Sequence, residues 1–201
     1  RLGLALLLSA STVAPRPATG NDLVPLWKSS IPRSVDGDLE SATVAVLREL
    51  SDGHWVAVTG GRFRRAIRRI APGGSGFTEA SVSDTFVGAS TAVDSFGAWL
   101  DATDSGIVKR DIHGQPAWSA PVQQAMARGC LGILIDPEGD VFVLWDPGST
   151  PRGRRVSKLD GRTGALLWSS VDLPASQPGF ILRNSTIVSG PGGDVIAAFA
   201  N

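Results

Sequence analysis

Asp160-Gly161-Arg162-Thr163-Gly164-Ala165-Leu166-Leu167-Trp168 reads as a tight turn between two strands. Val156 to Leu159 leads into it as one strand. The Asp160 carboxylate is placed to accept from backbone amides one or two residues on, and Gly164 tolerates a positive φ. Ala165 to Trp168 then leaves as a second strand, ending on a large ring suited to packing between neighbouring sheets.

Weaker copies recur along the chain in two alternating patterns. One is a glycine turn leading into an apolar strand: Ser51 to Val58, Asp94 to Leu100, Asp136 to Val143 and Gly190 to Ala197. The other is a turn followed by an aromatic strand: Pro72 to Phe77, Asp111 to Trp118 and Asp160 to Trp168, with Leu23 to Ser30 resembling the tail of one more. Asp52, Asp94 and Asp136 lie 42 residues apart at each step, and Trp27, Phe77, Trp118 and Trp168 lie 50, 41 and 50 apart. Periods of about 40 to 50 with several strands per unit predict a β-propeller, whose blades bury their faces only by stacking on neighbours. Runs such as Val141 to Trp145, apolar throughout, suit strands covered on both faces. Phe63, Ala66, Ile67 and Ile70 fall at helical spacing, but their segment is bounded by Gly60-Gly61 and Pro72-Gly73-Gly74. It takes the slot of a third strand, and a strand is predicted there.

Composition agrees with this reading. Of 201 residues, 42 % are hydrophobic, enough for a sizeable core, and 24 glycines with 13 prolines suit short strands joined by turns. Nineteen basic residues balance nineteen acidic ones, so no overall field favours nucleic acid or an anionic membrane surface. The six tryptophans, in a chain without tyrosine, point to repeated packing positions. The single cysteine, Cys130, excludes an internal disulfide framework within this sequence, and the apolar run Cys130 to Ile135 reads as a buried strand.

Asp160, Thr163, Gly164 and Trp168 resemble the tryptophan-docking repeat of quinoprotein-like (PQQ-like) β-propellers, which carries Asp, Thr-Gly and Trp at this spacing. A second copy has Asp111, Gly114 and Trp118 with one residue fewer and His113 in place of threonine. In a third, Phe77 stands for the tryptophan and the aspartate is missing. The resemblance implies an all-β propeller of four-stranded blades over residues 21–201, incomplete, with about three blades and partial blades at both ends. A four-blade ring would close if Leu26-Trp27-Lys28 paired beside Asp194 to Ala197, but a parent ring of six to eight blades fits better. The family includes enzymes that oxidise alcohols or sugars with pyrroloquinoline quinone and calcium. One cysteine cannot form the vicinal disulfide that many alcohol-oxidising members stack on the cofactor, and no motif places their catalytic aspartate or calcium ligands.

No stretch supplies catalytic, cofactor-binding or metal-binding residues. Asp136, Glu138 and Asp140 alternate as in a calcium loop, but further ligands and a late glutamate are missing, so they read as a polar turn. Asp101 and Asp104 read as a solvated loop between two strands of one blade. His54 and His113 belong to different repeats. No Gly-x-Ser-x-Gly elbow occurs, and Gly73 to Gly76 lacks the lysine of a phosphate loop. Arg152, Arg154 and Arg155, with Arg62, Arg64, Arg65, Arg68 and Arg69, form basic stretches that read as solvated loop charge. No aromatic ladder interleaves them as a single-strand nucleic-acid binder requires. Trp55 and Trp99 open corresponding strands, and packing is their expected role.

Residues 1–20 read as the remains of a secretory signal peptide and a linker: Arg1, the apolar run Leu2 to Leu8, small residues, then Pro15-Arg16-Pro17. The run is too short to span a bilayer as a helix. A secreted or periplasmic protein is expected, without stable membrane insertion after signal removal. The expected function is a non-catalytic scaffold or ligand-binding module for a protein or glycan, with no cofactor. The alternative is a fragment of a PQQ-like oxidoreductase, or another propeller enzyme, whose active site lies in missing blades.

Overall fold

The computed structural model describes residues 43–60, 64–74, 76–148, 153–171, 173–174, 185–190 and 194–199. The signal-peptide and linker expectation for residues 1–20, Trp27 and the proposed pairing around it lie outside these residues, as do Arg62, Arg152 and residues 149–151. Within the described residues the fold is all-β, built of antiparallel sheets in chain order. Strands β1 (Thr43–Glu49), β2 (Trp55–Gly60), β3 (Arg64–Ile70) and β4 (Phe77–Ser83) form the first meander. Strands β5 (Phe86–Val93), β6 (Trp99–Thr103), β7 (Gly106–Arg110) and β8 (Pro116–Ala120) form the second. The third is β9 (Cys130–Ile135), β10 (Val141–Trp145), β11 (Gly153–Leu159) and β12 (Leu166–Ser169), with β13 (Leu173–Pro174) pairing the start of β11. Strands β14 (Ser185–Ser189) and β15 (Val195–Phe199) make a two-stranded sheet.

Consecutive sheets pack face to face, and each seam has its own core. Leu50, Val56, Val58 and Ile67 of the first sheet meet Phe86, Val93 and Trp99 of the second. Leu100, Ile107 and Trp118 meet Ile133, Val141, Val143 and Leu159 of the third. Phe142, Leu144 and Val156 then meet Ile187 of β14. The alternation within β10 shows why its sequence is apolar throughout: Val141 and Val143 face one seam, Phe142 and Leu144 the other. Each such side chain removed fully from water contributes about 1.5–3 kcal/mol. The first strands of successive sheets also pack beside one another, β1 on β5, β5 on β9 and β9 on β14.

The turn chemistry repeats as the sequence predicts, with one shift of register. Asp94 N donates to Ala98 O at 2.8 Å and Asp136 N to Asp140 O at 3.0 Å, across Gly97 and Gly139, both with φ of 91°. In the first sheet the equivalent bond runs from Leu50 N to His54 O at 2.7 Å, across Gly53. Leu50, not Asp52, is therefore the counterpart of Asp94 and Asp136. The 42-residue step from Asp52 comes from an aspartate two places further into its turn.

The segment at helical spacing is strand β3, paired on both sides. One element carried no sequence signal: a 3₁₀ turn, Pro121–Gln123, runs into the short helix α1 (Gln124–Arg128) as the chain crosses from the second sheet to the third. Cys130 opens β9 as predicted, buried, and burial pushes its thiol up to about 12.

Candidate functional site

The feature that organises the described residues is the seat of Trp118 on the turn Asp160–Gly164 of the following sheet. Asp160 builds that turn. Its Oδ1 accepts from Arg162 N at 2.9 Å, Thr163 N at 2.8 Å and Thr163 Oγ1 at 2.9 Å. These bonds, the Thr163 amide foremost, hold the Asp160 carboxyl below its ordinary range. Gly164 has a φ of +74°, and a Cβ there would lie 2.6 Å from Trp118 Cε3, so the indole occupies the space a side chain would need. Trp118 Nε1 donates to Gly161 O at 3.1 Å, Lys109 Nζ donates to the same oxygen at 3.1 Å, and buried Gln123 donates through Nε2 to Gly164 O. Three side chains around the second sheet thus converge on one turn of the third.

Trp168 holds the same place in the third sheet. Trp118 stands opposite Lys109 and Trp168 opposite Lys158, each on the fourth strand of its sheet. Trp118 is 9 % exposed whereas Trp168, packed edge-on against Phe142, is 45 % exposed beside exposed Leu166 and Leu167. Phe77 is not a third copy. It stands opposite Ile70 at the strand end and is largely exposed, while Thr78 takes the place opposite Arg69. Val82 approaches Gly114 instead, 2.7 Å from where a Cβ would stand.

A second feature repeats from sheet to sheet. The third strand of each meander carries a cation that returns to the turn between the first two strands. Arg69 pairs with Asp52, Lys109 with Asp94 at 3.4 Å, and Lys158 with Asp136 and Asp140 at 3.4 and 2.8 Å. Asp136 and Asp140 therefore form a polar turn closed on a lysine, and the Lys158 ammonium is held above its ordinary pKa by the Asp140 hydrogen bond foremost. Among the described residues no cluster of three His, Cys, Asp or Glu side chains is placed to hold a metal ion. His54 lies against Asp52 in the first sheet and His113 lies in the β7–β8 turn of the second, so they do not meet.

Two expectations about charge are corrected. Asp101 is not on a solvated loop with Asp104. It lies in the middle of β6, 1 % exposed, facing the first sheet. Its Oδ1 accepts from Thr91 Oγ1 and lies 3.5 Å from Arg65 Nε, and Arg65 in turn lies 4.5 Å from the Phe86 ring centre. Its Oδ2 has no hydrogen-bond partner. Burial outweighs the nearby Arg65 charge and pushes the carboxyl up to about 7. The arginines of β3 are likewise not loop charge. Arg65 and Arg68 are buried, and Arg68 bonds to Thr59 Oγ1 at 2.9 Å and to Glu79 at 2.6 Å. Arg154, on β11, is also buried.

These contacts bind strands and sheets to one another. Their cations face carbonyls and carboxylates of the same chain, and the Asp101 carboxyl is enclosed between two sheets. Comparison with protein-family models and with curated proteins gives no match.

Proposed function

We propose that the three meanders are consecutive blades of a quinoprotein-like β-propeller, with β14 and β15 beginning a further blade. We read the protein as an exported, non-catalytic scaffold that presents its inter-strand loops to a protein or a glycan. The observation that carries the reading is the seat of Trp118 on the Asp160–Gly164 turn. An indole fixed by one hydrogen bond and by the space over a glycine sets the angle between neighbouring units. The adjacency of β1, β5, β9 and β14 supports a common axis on the side of the first strands. The polar residues that meet across the seams serve the joining of sheets, which suits a scaffold.

Negative-stain electron microscopy of the purified full-length protein tests the architecture. A ring with a central opening is expected, and a flat, two-layered particle would contradict it. Incubation with pyrroloquinoline quinone, calcium and a panel of alcohols and aldoses tests the function. No substrate-dependent dye reduction is expected, and sustained reduction would overturn the scaffold reading. Fusion of residues 1–20 to a phosphatase that folds only outside the cytoplasm tests export, and an inactive fusion would count against it.

A further inference from the structure

The seam between the first and second sheets differs from the next one in how it is held. Both seams have an apolar core, and the next adds Trp118, whereas here two ion pairs cross from the first sheet and its following loop to the second. Arg65 of β3 reaches Asp101 of β6, and Asp84, just after β4, accepts from Arg110 of β7 at 2.6 Å. The second pair is partly exposed on its acidic side, but the first is enclosed. Asp101 keeps Oδ1 for Thr91 and Arg65 and leaves Oδ2 without a donor.

We propose that this seam is a proton-gated joint: protonated Asp101 closes it, and ionised Asp101 opens it by drawing water to the oxygen that lacks a donor. The groups bearing on the carboxyl are Arg65 from β3, Thr91 from β5, Arg110 from β7 and the neutral thiol of Cys130 from β9. The two cations favour ionisation, and enclosure opposes it more strongly. A buried carboxylate oxygen without a donor carries a desolvation cost that water entry or protonation relieves. When its partner is protonated, Arg65 keeps the contact of its guanidinium with the Phe86 ring. The folded group holds its proton to about pH 7, whereas an Asp101 opened to water releases it at the ordinary value of 3.8. The closed seam is therefore favoured at low pH, and that advantage is lost as pH rises to 7. The open population rises about tenfold per pH unit between pH 5 and pH 7 and levels off above. The joint does not depend on the propeller reading, since it needs only the contact between these two sheets.

Hydroxyl-radical footprinting of Phe86 tests it, because that ring is 4 % exposed and lies under Arg65 at the seam. Phe142, buried at the far seam, serves as the internal reference. Relative to Phe142, Phe86 labelling is expected to climb from pH 5 to pH 7 and then plateau. Asp101→Asn should abolish the climb, and Thr91→Val, which removes a donor to the carboxylate, should move it to higher pH. Flat labelling in the unmodified protein, or the same climb in Asp101→Asn, would overturn the proposal. Should Asp101→Asn fail to fold, carboxyl-carbon NMR of the unmodified protein decides the question. A midpoint near neutrality is expected, and one in the ordinary carboxylate range would also overturn the proposal.

Discussion

Replacing Gly164 by alanine probes the joint between the second and third sheets while leaving Trp118 itself in the sequence. The substitution acts in two ways. At a φ of +74° an L-residue pays a backbone penalty of about 1–2 kcal/mol. The new Cβ would also stand 2.6 Å from Trp118 Cε3 and 2.9 Å from Cδ2 and Cζ3, so the ring must move. Displacement strains or breaks the bond from Nε1 to Gly161 O, worth about 1 kcal/mol, and exposes part of a ring now 9 % accessible. The total loss is about 2–4 kcal/mol, a large share of the 5–15 kcal/mol typical of a folded domain. Gly139→Ala is the control. Its φ of +91° imposes the same kind of backbone penalty, but nothing lies within 4 Å of its Cβ. Urea unfolding of Gly164→Ala, Trp118→Ala and the double variant then forms a cycle. With the ring gone, the cost of Gly164→Ala should fall to that of Gly139→Ala, giving a coupling of about 1–2 kcal/mol. Additive losses, or a Gly164→Ala cost no larger than the control, would refute the seat.

Two further outcomes follow from buried and turn groups. Cys130 is enclosed and its thiol is pushed up to about 12, so at pH 8 an aromatic disulfide reagent should modify it only as fast as the protein opens, and full stoichiometric reaction should require denaturant; rapid labelling of native protein would contradict the burial. Asp160 is held below its ordinary pKa of 3.8 by the turn amides, so its stabilising contribution is present above pH 3.8 and is lost as pH falls below that value. Asp160→Asn should therefore flatten the acid limb of the stability profile, and an unchanged limb would show that the turn does not depend on the carboxylate.

The turn at Asp160 was legible because everything that forms it is local. Aspartate, threonine and a positive-φ glycine lie within five residues, and the strands on either side announce themselves by composition. The doubly covered strands were legible for the same reason, as Val141 to Trp145 shows. What the sequence concealed depends on partners distant along the chain. Asp101 is followed closely by Asp104-Ser105-Gly106, a turn signal that makes the whole stretch look like loop, and only the first sheet's Arg65 reveals why a carboxylate lies inside. Arg65 and Arg68 read as solvated charge because their burial is created by Asp101, Phe86, Thr59 and Glu79 on other strands. Asp52 and Phe77 disguise the register because similar residue types stand one or two positions away from the equivalent place. The cation on each third strand, Arg69, Lys109 and Lys158, was a readable signal, each closing on an acidic turn upstream. Helix α1, at five residues, is too short to carry a periodic pattern.

Exchange of the indole protons with solvent, followed in a ¹⁵N-labelled sample, tests the central claim most directly. The Trp118 proton, bonded to Gly161 O across the seam, should exchange slowly, together with those of Trp99, bonded to Asp111 O, and Trp145, bonded to Ser157 Oγ. The Trp168 proton, on a ring 45 % exposed, should exchange fast. A Trp118 proton exchanging as fast as that of Trp168 would mean that the second and third sheets are not joined through this turn.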